Sequence, residues 1–357
     1  MKLHIVGGFL GSGKTTSIVQ AAKTLMDAGT AVGVITNDQG KFLVDSAFFR
    51  LSNVPTVEVT GGCFCCNYDD LDSRLNQLIA ASQPDVIFAE SVGSCADIVA
   101  TVLRPLLVFA SSTAEPSSFS VFTDARLLRR RLLGQELPFS DDVVYIFDKQ
   151  IEEAGLVVIN KIDLLPPEQV QETEALLRRL YPEKMLIAQS TLAPDGTQGW
   201  LEQIQSGALA LPGNELLLDY SRYGQGEGLL AWVDQEIALT FPQGSGQAAV
   251  RTFIGHLLRI LERRGAGIGH LKFVLSAGDR SDKISFPAIT ETGWEDRVPE
   301  IAGSSAALLI NARVEIPVGD LLAALRAALD MSGAAYSVTN QDAFHPPQPN
   351  PTHRIVN

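Results

Sequence analysis

The chain has 357 residues, of which 46% are hydrophobic and 19% charged, the profile of a chain that buries a sizeable core. Its formal net charge is -13, so its surface repels phosphodiester backbones and a nucleic-acid partner is not expected. No apolar run approaches the ~18 residues that span a bilayer, and Met1–Leu10, broken by Gly7 and Gly8, lacks the marks of a signal peptide, so the expected home is the cytoplasm, with no membrane partner.

Leu3–Val6 is a short apolar run ending in glycines, and a helix is predicted over Thr15–Ala28. Strands are predicted at Ala31–Thr36 and Thr56–Val59, a helix at Arg74–Ser82, and further strands at Asp85–Ala89, Phe119–Phe122 and Leu156–Ile159. A helix over Gln169–Arg179 lies between Pro167 and Pro182, and a strand follows at Met185–Ala188. Strands apolar throughout, alternating with helices, imply an α/β fold with a mainly parallel sheet covered on both faces.

Composition changes after about residue 207. Residues 1–207 read as a nucleotide-binding domain, 208–228 as a linker without clear period, 229–340 as a smaller α+β domain and 341–357 as a proline-rich tail. In the smaller domain, strands are expected at Leu229–Leu239, Leu271–Leu275, Lys283–Ile289, Ala306–Val314 and Tyr336–Thr339, with helices at Gln247–Arg264 and Val318–Met331, a pattern that fits a ferredoxin-like arrangement. Pro346, Pro347, Pro349 and Pro351 make the tail extended rather than helical.

Gly8-Phe9-Leu10-Gly11-Ser12-Gly13-Lys14-Thr15 matches G-x-x-x-x-G-K-[ST] between a strand and a helix. The glycines let backbone N–H groups turn toward phosphate oxygens, and the helix start adds its positive dipole end. Lys14 would reach the β- and γ-phosphates, and the Thr15 hydroxyl would hold Mg²⁺. These features define a P-loop nucleotide hydrolase.

Asn160-Lys161-Ile162-Asp163 follows an apolar strand, at the end where open α/β sheets bind ligands. Asp163 would accept both guanine N1–H and the 2-amino group, which adenine cannot offer. Ser190-Thr191 is expected to close over the base. Glu90 ends a buried strand and would hold a metal-bound water or orient the attacking one. Asn37-Asp38-Gln39-Gly40, followed by Asp45, reads either as a switch moving with the γ-phosphate or as a plain polar loop. Lys14, Glu90, Asp38 and Asp45 are therefore the candidate hydrolytic groups.

Cys63, Cys65 and Cys66 lie within four positions after Gly61-Gly62. Thiolates favour Zn²⁺ and other soft or borderline ions, and three of them leave a coordination position open for transfer. Cys95 completing the set would instead indicate a structural metal, and redox-active thiols or plain core packing are the other readings. The five histidines do not cluster: His256 reads as packing, and His345 and His353 flank the proline-rich stretch.

These motifs together resemble the CobW-like GTPases, relatives of the nickel-insertion GTPases of hydrogenase and urease maturation. The resemblance rests on Gly7–Thr16, Gly62-Cys63-Phe64-Cys65-Cys66, Glu90-Ser91-Val92-Gly93, Phe122-Thr123-Asp124-Ala125 and Asn160-Lys161-Ile162-Asp163, covering roughly residues 1–205. It implies a SIMIBI-class fold with slow GTP hydrolysis and a metallochaperone or metal-insertase role. Gly8, Gly11, Ser12, Gly13, Lys14, Thr15 and Thr16 go on GTP·Mg²⁺, Asn160, Lys161 and Asp163 on guanine, and Cys63, Cys65 and Cys66 on Zn²⁺, Co²⁺ or Ni²⁺. The implied partner is a client metalloprotein or a corrinoid protein, and a homodimer is a further expectation. Two departures stand out. Where members commonly read N-E-F-G-E, this chain has Asn37-Asp38-Gln39-Gly40-Lys41, and no histidine-rich stretch is present. These leave room for a GTP-gated assembly or reactivation factor for a cobalamin-dependent enzyme, without metal transfer.

Overall fold

Strand β1 (Lys2–Gly8) is buried on both faces from Leu3 to its end, because Leu3, Ile5 and Val6 have no solvent-tolerant side to offer. The computed structural model describes residues 1–40, 49, 53–213, 216–289 and 292–356. In chain order β1 is followed by α1 (Lys14–Asp27), β2 (Val32–Asp38), β3 (Thr56–Thr60), α2 (Tyr68–Ser82) and β4 (Val86–Glu90). A π-helical turn at Val99–Leu103 runs into α3 (Arg104–Phe109), and then come β5 (Glu115–Asp124), α4 (Ala125–Leu132), α5 (Asp141–Glu153), β6 (Leu156–Asn160), α6 (Pro167–Leu180), β7 (Met185–Gln189) and α7 (Gln198–Gln205). The seven strands form one sheet in the order β3-β2-β4-β1-β5-β6-β7, and every pairing is parallel. Apolar clusters cover both faces, as the continuous apolar strands require.

The stretch read as a linker contains a helix, α8 (Tyr220–Leu229). Its Gly224, Gly226 and Gly228 depress helix propensity and erase the apolar period. Asp219 nevertheless caps it, accepting from the Ser221 and Arg222 amides, and Tyr223 packs with Ile146 of α5 and Ala96. Helices α3, α4, α5 and α7 are likewise absent from the elements read from the sequence.

The second sheet comprises β8 (Leu230–Thr240), β9 (Gly267–Ala277), β10 (Arg280–Pro287), β11 (Ser305–Glu315) and β12 (Ala335–Phe344), in the order β10-β9-β11-β8-β12, with all pairings antiparallel. Helices α9 (Gly246–Arg263) and α10 (Val318–Asp330) share its core through Phe253, Leu257, Leu321 and Leu325. Without edge strand β10, the order β9-β11-β8-β12 is the split βαβ of a ferredoxin-like unit. The four residues Gln341–Phe344, read as part of the tail, continue β12.

His4 on β1 is fully buried, and its Nδ1 lies 2.8 Å from Ser118 Oγ. Burial, reinforced by Lys2, lowers its pKa to about 4. The unfolded chain takes up this proton near the ordinary histidine pKa of about 6.5. The folded chain resists it, so stability falls as pH drops through that window, by roughly 3 kcal/mol in all. Denaturant unfolding between pH 7 and pH 4 should show that the wild type loses this much more than His4→Gln does. Parallel curves for the two proteins would contradict it.

Candidate functional site

The phosphate loop joins β1 to α1. Gly13 caps α1 with φ of 96°, a backbone shape that costs other residues strain, and an added Cβ would strike the Asn160 side-chain amide. The Lys14 ammonium folds back into the loop, donating to Gly8 O at 2.7 Å and Phe9 O at 3.3 Å. Thr15 Oγ1 donates to Glu90 Oε1 at 2.8 Å, and both residues are buried. A hydroxyl beside a carboxylate is an oxygen pair that suits Mg²⁺, a hard cation.

The residues expected to read the base meet this loop from the end of β6. Asn160 Nδ2 donates to Ser12 O at 2.9 Å, and Asn160 Oδ1 accepts from the Thr191 hydroxyl at 2.8 Å. Lys161, at φ 64°, donates to Gly11 O at 2.6 Å and pairs with Asp124 at 3.2 Å. Asp163 is exposed in a short 3-10 turn and lines the same cleft as Thr16, Ser190 and Thr191. One cleft thus holds the phosphate motif, the base motif and Glu90. Asp45 and Lys41 lie outside the described residues.

A second wall of the cleft carries no local sequence signal. The second sheet contributes Trp232, His270, Lys272 and Lys283, and the connection from β10 to β11 adds Arg297. The two sheets are also tied by charge. Arg313, fully buried on β11, reaches Asp234 at 2.6 Å and Asp38 at 3.0 Å and stacks over Trp232 at 4.1 Å. Asp38, expected at the hydrolytic centre, does line the cleft, but its carboxylate is held by this cross-domain pair.

The neighbouring Asn37 also lines the cleft, and its side chain grips the cysteine loop. Asn37 Nδ2 donates to Val59 O at 3.1 Å and Gly62 O at 2.7 Å, and Oδ1 accepts from the Phe64 amide at 2.8 Å. This loop sits between β3 and α2. Its sulfurs lie 2.8 Å (Cys63–Cys65), 3.3 Å (Cys63–Cys66) and 3.8 Å (Cys65–Cys66) apart. A tetrahedral zinc thiolate has S···S edges of about 3.8 Å, given Zn–S near 2.3 Å. The thiols are therefore crowded to within metal-binding reach and need only spread slightly around an ion. Hydrogen bonds from Cys65, Cys66 and Cys95 hold the Cys63 thiol well below the usual thiol range. The partner thiols move up, Cys66 to about 11, chiefly through the same contact with Cys63. Without a cation the cluster stabilises one negative charge; an ion bound there would stabilise more.

The proline-rich stretch is extended, as expected, and covers these thiols. The Asn350 amide donates to Cys66 Sγ at 3.3 Å, and Thr352 bonds Cys65 O through its amide and Cys66 O through its hydroxyl, each at 2.9 Å. His353 packs on Tyr68 and Phe109, and Arg354 Nε donates to Asp97 Oδ2 at 2.7 Å. Nothing in the local sequence signals these contacts, since the partners are some 250 or more residues apart.

Residues 2–188 match the family model described as CobW/HypB/UreG, nucleotide-binding domain. The chain is similar to the zinc chaperone YeiR of Escherichia coli (strain K12), 29% identical over 191 residues that cover 52% of this chain and 54% of YeiR. It is similar to the urease accessory protein UreG of Metallosphaera sedula, 30% identical over 179 residues that cover 46% of this chain and 74% of UreG. Among solved structures it matches HypB from Helicobacter pylori in complex with nickel, at 18% identity and a TM-score of 0.41, over 58% of this chain and 89% of that one. The chain spans about half the length of YeiR. With that model covering over half its residues, the chain belongs to the CobW/HypB/UreG family.

Proposed function

We propose that this protein binds and hydrolyses GTP and carries a transition metal on Cys63, Cys65 and Cys66, releasing it to a client protein when the nucleotide state changes. Lys14 and the loop amides would hold the phosphates, and Thr15 would ligate Mg²⁺ with Glu90 beside it. Asn160, Lys161 and Asp163 would hold guanine. The observation that carries this reading is Asn37, which lines the nucleotide cleft while its amide clamps the cysteine loop at Gly62 and Phe64. A shift of β2's end by the γ-phosphate would then be felt at the thiols with no intermediary. Zn²⁺ is the first metal to test, given the borderline-soft thiolate set and the likeness to a zinc chaperone.

The test is Zn²⁺ affinity of the reduced protein, measured by chelator competition with GDP·Mg²⁺ and with a non-hydrolysable GTP analogue. Couplings between sites typically run to about 5–150-fold in affinity, and a difference in that range is expected. Equal affinities in both states would overturn the carrier reading, because a ligand with no differential affinity shifts nothing.

A further inference from the structure

Of the three clustered thiols, Cys63 and Cys65 are buried and only Cys66 is partly exposed. The cluster therefore meets solvent on the Cys66 side, and residues 348–355 lie across that side. We propose that this stretch is a gate: seated, it retains an ion on Cys63, Cys65 and Cys66, and lifted, it opens the path by which the ion enters and leaves. The proposal rests on the metal-carrier reading above.

The seat is made of specific acceptors. Cys65 O takes the Thr352 amide and Cys66 O the Thr352 hydroxyl, each at 2.9 Å, while the Asn350 amide sits on Cys66 Sγ itself at 3.3 Å. Further on, the Ile355 amide donates to Ala100 O at 2.9 Å, and Ile355 O accepts from Arg104 Nη1 at 2.9 Å. Between these, Arg354 pins the stretch to Asp97 at 2.7 Å, a carboxylate only 1% exposed, and its guanidinium lies 5.5 Å from the centre of the Tyr220 ring. The His353 ring rests on Tyr68 and Phe109.

The same stretch is built to lift. Between Gln348 and Val356 only Pro349 is buried, so leaving the seat breaks hydrogen bonds and one ion pair but opens no apolar core. Segments with so little buried apolar contact open locally, well below the free energy of global unfolding. Upstream the stretch is tethered by β12, which pairs with β8, so a lifted gate stays close to its seat. Pro346, Pro347, Pro349 and Pro351 keep it extended when lifted, which lowers the entropy cost of seating again.

Its chemistry also separates cover from coordination. Residues 346–352 read Pro-Pro-Gln-Pro-Asn-Pro-Thr and contain no thiol, imidazole or carboxylate. Amide and hydroxyl oxygens compete poorly with thiolates for a borderline-soft ion. The stretch thus acts on access to the cluster, and entry and release are expected to change together.

The experiment uses the reduced full chain, Thr352→Pro and Arg354→Ala. Proline removes both Thr352 donors at the amide and hydroxyl yet keeps the backbone extended. Losing two hydrogen bonds should favour the lifted gate about 5–150-fold in Thr352→Pro, read as faster hydrogen exchange of the Ile355 amide. Stopped-flow Zn²⁺ uptake and release to a chromophoric chelator should both speed up by a similar factor. Zinc affinity should stay within about threefold of wild type, because an element that favours neither the loaded nor the empty cluster shifts no equilibrium. Arg354→Ala should act in the same direction. Wild-type hydrogen exchange needs no variant and covers the case of a misfolded substitution: the Thr352 and Ile355 amides should open together, long before those of β8. Amides that open only with the whole sheet, or variants that exchange zinc at wild-type rates, would overturn the gate and leave the carrier reading standing. Affinity lost with uptake unchanged would also overturn it, since the stretch would then tune the thiolates instead of covering them. A wild type that binds no zinc would overturn both.

Discussion

Replacing Lys14 by Ala should lower single-turnover GTP hydrolysis by about 10²–10³-fold, the usual cost of losing one preorganised charge donor from a transition-state cradle. The lysine is buried, and its ammonium bonds loop carbonyls that are themselves part of the cradle, Gly8 O and Phe9 O. Those carbonyls hold the charge where the β- and γ-phosphate oxygens would lie, and phosphate binding exchanges neutral acceptors for charged ones. Since charge on the transferring group develops toward the transition state, the loss should appear in the hydrolysis rate more than in GDP affinity. Lys14→Arg should not restore the rate, because a planar fork cannot occupy the space of a compact ammonium. Circular dichroism and melting should remain near wild type, as the bonds to Gly8 O and Phe9 O stay within one loop. Hydrolysis within about threefold of wild type would remove Lys14 from the chemistry.

How much of this could be read from residues alone depended on distance along the chain. The phosphate and base motifs are each local, and the structure brings them into one cleft because strands β1 and β6 end on the same side of a parallel sheet. The strands themselves were legible because burial on both faces leaves continuous apolar runs such as Leu156–Ile159. Helix α8 was not, because its glycines suppress propensity and its order comes from packing against α5. The surroundings of the cysteine cluster were the least legible. Asn37 could be placed in a switch, but its grip on Gly62 and Phe64 depends on β2 pairing with β3. Cys95 could be named as an extra thiol, yet only the fold buries it in the same core as Cys63. The cleft wall from Lys272 and Lys283 and the Arg313–Asp38 pair, joining residues 275 positions apart, required the two sheets to meet.

Replacing Asp163 by Ala should reduce the preference for GTP over ATP by about 10²–10⁴-fold, and this follows from counting hydrogen bonds. Its carboxylate stands exposed at the rim of the cleft, on the turn that Asn160 and Lys161 anchor to Ser12 and Gly11. Two bonds from guanine N1–H and the 2-amino group to a charged acceptor contribute about 1.5–3 kcal/mol each, and both vanish in the Ala variant. ATP makes neither bond in the wild type, so its weak binding should barely change, and the ratio should shift through GTP alone. Asp163→Asn makes a sharper demand. Its amide offers one acceptor and one donor, a pattern that fits xanthine, which carries a carbonyl where guanine has its amine. That variant should therefore lose GTP and gain XTP, measured by competition against a fluorescent GDP. Lys14 and the phosphate loop are untouched in either variant, so hydrolysis of whichever nucleotide is bound at saturation should stay within a few-fold of wild type. A variant that kept its GTP preference would place guanine recognition elsewhere in the cleft, on Ser190, Thr191 or the second-sheet wall.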